Sequence, residues 1–544
     1  MSGTRAVFLN QKFLDSIIRN PSGIWAVTPI MALALLLRFV GMDSQSLWLD
    51  EGYSLWFARQ DLSELWGSVA RVELNPPLYY MLLHVWTDLF GESVLAMRSL
   101  SAMIDCLTIP LVYLTCRWSL PRNAGHYVGL VAAILFALAF SQLQYSQEAR
   151  TYTLCVLGIS IVTAASVRIL TELENLPASP KRWPFVMLGV GAALTLWAHY
   201  AMSIALAVMA ISHLCVWVFV ARASGKAVIA YLFALGSFLL LGGRALWLLT
   251  AYAVHRTSDF WVGAPGFLDA LDAVSIVFGA DFAIDSWSLD LAARAVLFGP
   301  WPVIGFIAAW KTGIGHVRLA ALFLAVASFG LFMSYLALSY FGHPVFLQRV
   351  VLPSQIGWLS LSAMSALYFS TPRLRDFAAG LLVFSFAVGA LNYLVFQTSI
   401  TTKEPWSEIA HNVSAQASPD TTVYTDASGA LMLNYYFSRS GVSNLQAVSL
   451  NGSVRLPAEH AIFTPGTAYF ADPISLESLD RASAQIRSGR ETWFVLRNPD
   501  RESYGPLRAM LATHGGTEEA RHLHSPGPLA VYHFPASISD TGLE

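Results

Sequence analysis

Long apolar runs recur through the first 400 positions, separated by short polar stretches that hold most of the charge. A helix needs about 20 apolar residues to cross the hydrocarbon core of a bilayer. Eleven runs come near that length, at 24–41, 98–117, 124–142, 151–170, 184–199, 201–221, 227–250, 291–310, 319–341, 350–370 and 376–398. Eleven membrane-spanning helices are the expectation. LYYMLLHVWTDLF, at 78–90, has 13 residues with His84 and Asp88 among them, and is too short to span. It reads as a short helix behind Pro76 and Pro77, which favour helix starts. A second short helix is expected at about 53–71. There Leu62, Leu65, Trp66 and Val69 form one apolar stripe opposite Arg59, Glu64 and Ser68, as in a helix lying in the membrane interface. Past Ile400 the pattern changes. TTVYT, LQAVSL, ETWFVLR and LAVYHF read as strands, and WSEIAHNVSAQA and GPLRAMLATHG as helices. The predicted organisation is a helical membrane domain over 1–400 and a small extramembrane α/β domain over 401–544.

Composition agrees with the membrane reading: 55% of the 544 residues are hydrophobic and 12% charged, with a mean hydropathy of +0.52, outside the range of soluble globular chains. With a net charge of −2, nothing in the overall balance suggests nucleic acid or another polyanionic partner, and none is expected. Cys106, Cys116, Cys155 and Cys215 lie inside apolar runs at spacings that fit no zinc or disulfide pattern. The first 20 residues carry basic side chains without a small-residue cleavage site, and read as a cytoplasmic leader. Loop charges orient the spans, because Lys and Arg collect on the cytoplasmic side. With 78–90 not counted as a crossing, and Arg38, Arg244 and Arg294 within helix ends set aside, fourteen basic residues fall on one side, from Arg5 to Arg375, and six on the other. The N-terminus is then inside, and the loops 42–97 and 251–290 and the 401–544 domain are outside. The 251–290 loop, with Trp261, Trp287 and its acidic residues, suits an interfacial lid.

Ionisable groups near membrane depth mark functional sites. The outer ends of the predicted spans collect Asp50, Glu51, Asn75, His84, Arg98, Gln147, Glu148, Arg150, Tyr152, His199, Tyr200, His343 and Arg349. Plainer readings stand beside a catalytic one. Asp50 and Glu51 fit a helix start, where carboxylates are favoured. Arg150 fits a pair with Glu148 or a contact to lipid phosphate, and His84 and His199 fit hydrogen-bonded packing. Asp50, Glu51, Glu148 and Asp281 are oxygen donors that could hold a divalent cation.

The ordered set LDEGYSLWFAR, NPPLYYMLLHVW with the following FG, the arginine of AMRSLSAMIDCLTIPLVYL, QYSQEARTYTL, HYA and LQRVVLPSQIGWL resembles the bacterial branch of the GT-C glycosyltransferases. These are relatives of the protein O-mannosyltransferases and of the enzymes that add aminoarabinose to lipid A. The resemblance covers about 25–400, and KEPWSEIA with SPDTTVY resembles the external tails of the same branch. It implies a GT-C fold in a bacterial inner membrane and transfer of a sugar from a polyprenyl-phosphate donor on the periplasmic side. The acceptor is a lipopolysaccharide, lipid, glycan or protein of the envelope, and the reaction uses neither cofactor nor metal. Within that frame Asp50 is the expected base, with Glu51 beside it. Arg150 and Arg349 are expected to hold the donor phosphate, supported by Arg98 and Tyr152. Asn75, His84, Glu148, His199 and Tyr200 are expected to contact substrate. Asn75-Pro76 departs from the His-Pro or Lys-Pro of relatives, which weakens the carry-over at that position. A transporter of a lipid-linked saccharide is the alternative. It would show repeats and midspan polar residues, whereas these polar residues sit at span ends.

Overall fold

Backbone N–H and C=O groups in hydrocarbon must be satisfied within the segment, so apolar runs of this length fold as helices. The computed structural model describes residues 23–73, 75–173, 181–219, 225–255, 264–280, 282, 286–342, 344–399, 403–440, 445–456, 474–523 and 527–536. The leader expected at 1–20 lies outside them. The chain divides into two compact units. One comprises Met1–Val40, Leu74–Tyr79 and Met97–Val395; the other comprises Gly41–Glu73, Tyr80–Ala96 and Phe396–Glu544.

All eleven apolar runs are helical, but they differ in length. Among the described residues, seven helices are long and apolar enough to cross a membrane: Val94–Ser119, Tyr152–Glu172, Ile229–Ala251, Trp287–Lys311, Gly315–Phe341, Gln348–Tyr368 and Pro372–Val395. The run at 124–142 is not one straight helix. Arg122–Leu138 and Phe140–Ser146 meet at a 54° bend and make an eighth crossing if taken together. Ala139 leaves the helical region there, with φ −63° and ψ 121°. Trp25–Phe39, Trp183–Ala198 and Met202–Cys215 are shorter apolar helices. The count of eleven expected from the runs therefore becomes seven or eight full-length helices and three short ones. Close helix approach depends on small residues. A Cβ on Gly305 would stand 1.7 Å from the Leu361 carbonyl oxygen, so the helices Pro300–Lys311 and Gln355–Met364 can touch only because position 305 has no side chain.

The second unit combines most of the 41–96 segment with the C-terminal region. The helix expected at 53–71 is in fact two pieces. The first, Leu49–Ala58, begins four residues early and places Asp50 and Glu51 in its first turn. After a break at 59–61 the helical path resumes at Leu62 and runs to Val72 through a π-helical turn at Leu65–Val69. On that stripe Leu65 and Val69 are buried, while Leu62 and Trp66 are exposed. The helix Leu78–Phe90 forms as expected.

The C-terminal region builds one five-stranded sheet from β1 (Thr422–Thr425), β2 (Ala447–Ser449), β3 (Thr492–Arg497), β4 (Thr517–His522) and β5 (Leu529–Phe534), in the order β2-β1-β3-β5-β4. β1 is parallel to β2 and β3, and β5 is antiparallel to β3 and β4. Four strands match the apolar runs read from the sequence. β4, with sequence TEEARH, escaped that reading because it is an edge strand with largely exposed side chains and needs no apolar alternation. Tyr424, Leu450, Leu479, Phe494, Leu496, Tyr504, Leu507, Leu511 and Phe534 form the core beneath the sheet.

Candidate functional site

Helix Leu49–Ala58 has an unusual start. Its N-cap residue is Trp48, whose side chain has no acceptor oxygen for the free N–H groups of the first turn. Two carboxylates supply the need, one from the helix's own first turn and one from the C-terminal region. Glu51 Oε2 accepts from Trp48 N at 3.2 Å, and Glu404 Oε2 accepts from Leu49 N at 3.1 Å. Both fit the positive end of the helix dipole. Glu51 is fully buried, with Lys403 Nζ 3.7 Å from its Oε2. Asp50 is half-buried at the second helical position. The adjacent acids are thus unlike in environment: Glu51 does the end-capping work, and Asp50 keeps access to solvent.

The next residues seat this helix on the C-terminal region. A Cβ on Gly52 would lie 2.2 Å from Met432 Sδ, so with glycine here the helix packs against Ala427–Phe437 with the Met432 side chain in its present place. Tyr53 shares a 2.8 Å hydrogen bond with Ser428 Oγ, and burial pushes its phenol up to about 12, which keeps it neutral. His84 Nδ1 lies 2.7 Å from the Ala58 carbonyl, with Nε2 3.6 Å from Asp88 Oδ2. His84 thereby ties Leu78–Phe90 to the end of Leu49–Ala58, a geometry that packing accounts for.

The cationic residues gather in the other unit. The segment 147–151 joins the bent helix pair to Tyr152–Leu173, and its side chains are tethered on several sides. Gln147 Nε2 donates to the carbonyls of Arg38 and Val40 at 2.9 and 2.8 Å, while its Oε1 accepts from Tyr393 Oη at 2.8 Å. Thr151 Oγ1 donates to the Ala198 carbonyl at 2.8 Å. A chain from Tyr79 Oη to Ser101 Oγ, 2.7 Å, and on to the Arg150 carbonyl, 3.2 Å, holds the backbone between. Two guanidinium groups then flank one ring. The Arg150 and Arg349 carbons stand 5.9 and 5.6 Å from the centroid of Tyr152, within cation–π range. Glu148, Arg150 and Tyr200 are almost entirely buried, and Arg349 is half-buried.

His199, in the loop after Trp183–Ala198, accepts from Ala201 N through Nδ1 at 3.1 Å. Because Nδ1 accepts a backbone N–H, the ring is neutral and carries its proton on Nε2, which is a donor. Arg98 is fully buried on the helix Val94–Cys106, one turn before Ser101. Asn75 is half-buried and precedes the buried Pro76 and Pro77. The structure thus collects Arg150, Arg349, Tyr152, Glu148 and His199 within one unit, and Asp50, Glu51 and His84 within the other. Helices Tyr152–Leu173 and Met202–Phe219, which begin near the cationic cluster, line an apolar cavity of about 630 Å³ farther along together with Trp183–Ala198 and Gly225–His255, with Val162, Leu206, Met209, Leu235 and Phe238 on its walls and His213 among them.

Among the described residues no group of three or more His, Cys, Asp or Glu side chains could hold a metal ion. Asp281 and His343 lie outside the described residues, as do 256–263 and 283–285 of the loop read as a lid. Its described part includes a helix, Phe267–Phe278, whose Asp272 is 2.9 Å from Arg294 Nη1. Several members of both clusters were not singled out in the sequence. Arg38 and Asp105, buried inside apolar runs, carry the signal of charge at membrane depth. Lys403, Glu404 and Arg497 carry none, since they meet the helix start only through the fold.

Solved structures of similar shape decide the fold. ArnT from Cupriavidus metallidurans, in the apo state, superposes with a TM-score of 0.58 at 16% identity, over 95% of this chain and 99% of that one. The chain has the GT-C fold. The same protein bound to undecaprenyl phosphate gives a TM-score of 0.56 at 16% identity, over 96% of this chain and 100% of that one. An Archaeoglobus fulgidus oligosaccharyltransferase structure matches at a TM-score of 0.44 and 12% identity, over 94% of this chain and 74% of that one. No family model and no curated protein matches the chain. The GT-C fold expected from the ordered motifs is thereby observed, in a multi-pass membrane protein with a small C-terminal α/β region.

Proposed function

We propose that the chain is an inverting glycosyltransferase that moves a sugar from a polyprenyl-phosphate donor to an acceptor in the bacterial envelope, at the periplasmic face of the inner membrane. The observation that carries the reading is the pair of arginines about Tyr152 at the head of helices that line an apolar cavity. A polyprenyl-phosphate sugar has the same division, an anionic phosphodiester head on a long apolar tail, and its phosphate gains a second charge when the sugar leaves. The ArnT structure of the same fold is described as bound to undecaprenyl phosphate.

In this reading Arg150 and Arg349 bind the phosphate oxygens, since a planar guanidinium matches them in bidentate fashion. His199 adds a neutral N–H donor, and Arg98, Tyr152, Glu148, Tyr200 and Asn75 shape the surroundings. Asp50 accepts the proton of the acceptor hydroxyl as its oxygen attacks the anomeric carbon. The bond from that carbon to the phosphate oxygen breaks, polyprenyl phosphate leaves, and the anomeric centre inverts. The arginines stabilise the charge that grows on the leaving phosphate. Glu51 holds the helix that carries Asp50. The donor sugar is a hexose, pentose or uronic acid, and the acceptor a lipopolysaccharide, glycan, lipid or protein.

The test is in vitro transfer by purified enzyme. Envelope glycans compared by mass spectrometry with and without the gene first identify the product. Asp50→Asn preserves shape while removing basicity, and is expected to slow transfer about 10²-fold or more while donor binding persists. Normal turnover by Asp50→Asn, with Glu51→Gln inactive, would exchange the two roles; normal turnover by both would end the base reading.

A further inference from the structure

Glu404 is a fully buried carboxylate with no place in the chemistry above, and it gathers three donors. Its Oε1 accepts from Arg497 Nε at 2.6 Å. Its Oε2 accepts from Trp406 Nε1 at 2.8 Å and from the backbone N of Leu49 at 3.1 Å. The last bond joins positions 355 residues apart. It satisfies a first-turn N–H for which Trp48 offers no oxygen. The adjoining Lys403 lies 3.7 Å from Glu51 Oε2, the atom that accepts from Trp48 N. Both chain neighbours of Asp50 are therefore gripped by consecutive residues: Leu49 through its backbone by Glu404, and Glu51 through its side chain by Lys403. Arg497 at the end of β3 anchors Glu404 to the sheet.

We propose that Lys403, Glu404 and Arg497 are positioning residues that hold the first turn of helix Leu49–Ala58 and thereby set the direction of the Asp50 carboxylate. The proposal rests on the reading of Asp50 as base. An uncapped first turn frays, and Asp50 sits inside that turn. A displacement of about 1 Å at a reacting group can cost about 10²-fold in rate. The C-terminal region acts in this view as a brace for the catalytic helix, and the KEPW stretch is its point of attachment.

The experiment is a double-substitution cycle on the full-length purified protein, with kcat and donor KM measured for Glu404→Gln, Asp50→Asn and the combination, and Lys403→Met as a second probe of the same grip. Glu404→Gln is expected to lower kcat about 10-fold or more with donor KM changed by less than about 3-fold, because the misplacement affects the reacting carboxylate and not the donor site. Lys403→Met is expected to act in the same direction, by less. In the Asp50→Asn background Glu404→Gln should cost almost nothing further, because groups that act through one residue are not additive. If Glu404→Gln multiplies with Asp50→Asn, or lowers only the yield of folded protein at unchanged kcat, the positioning role is wrong while Asp50 can still be the base. If Asp50→Asn turns over normally, the base assignment fails and the positioning role fails with it.

Discussion

Arg38 and Asp105 make a fully buried ion pair between two apolar helices, and its removal one partner at a time tests how the cationic cluster is held. Arg38 Nε donates to Asp105 Oδ2 at 2.6 Å, and its Nη1 donates to the carbonyls of Ala34 and Ala137 at 3.1 and 3.2 Å. The carbonyl of Arg38 in turn accepts from Gln147, three residues before Arg150. Breaking a buried pair by removing one partner leaves an uncompensated charge and costs about 3–5 kcal/mol, whereas replacing both by apolar groups of similar size is often close to neutral. Arg38→Met and Asp105→Leu should therefore each cost about 3–5 kcal/mol. The double variant should cost no more than the milder single, a coupling of about 3 kcal/mol or more. Thermal unfolding of the detergent-solubilised protein, followed by a fluorescent probe of exposed cysteines, reads the order directly: both singles melt several degrees below the parent, and the double recovers part of the loss. Additive losses in the double variant would refute the reasoning, because they would mean that each charge is solvated independently of the other.

Arg150→Lys and Arg349→Lys should each lose most of the transfer activity despite keeping their charge, since an ammonium cannot reproduce the planar fork; unimpaired transfer by both would move the phosphate site elsewhere. A phosphatase fused after Ile400 should be active on the periplasmic side, as the loop charges require, and cytoplasmic activity would overturn the topology. Burial raises the pKa of Glu491, but hydrogen bonds from Thr421, Ser418 and His533 outweigh it and bring the carboxyl from 4.5 down to about 2. A depressed carboxylate contributes stability above its unfolded pKa that is lost as pH falls. Unfolding of the C-terminal region should therefore become easier between pH 4.5 and 2, and Glu491→Gln should flatten that slope. An unchanged slope in the variant would assign the acid sensitivity to another group.

The sequence by itself determined the membrane class, the position of the eleven apolar runs and four of the five strands among the described residues. Each of these follows from local hydrophobic pattern, which a stretch of chain carries wherever it is placed. The DE, SQEARTY and LQRVV motifs were also legible, because charge beside an apolar run is conspicuous before any folding. Tertiary structure decided what pattern cannot encode. The bend at Ala139 and the break after Ala58 are backbone choices made by packing, and β4 is a strand because β5 offers it a ladder of partners. The same holds for the acidic pair. Adjacent in sequence, Asp50 and Glu51 part company in the fold: the helix turn directs Glu51 into a buried position against Trp48 N and Lys403 and leaves Asp50 half-exposed. Nothing near Leu49 announces that its N–H will meet Glu404, since a helix start accepts any carboxylate the fold delivers, and this one arrives from 355 residues away. Arg150 and Arg349, far apart along the chain, share the ring of Tyr152 for the same reason: contacts of long sequence separation are properties of the packed chain, while hydrophobic period belongs to each segment alone.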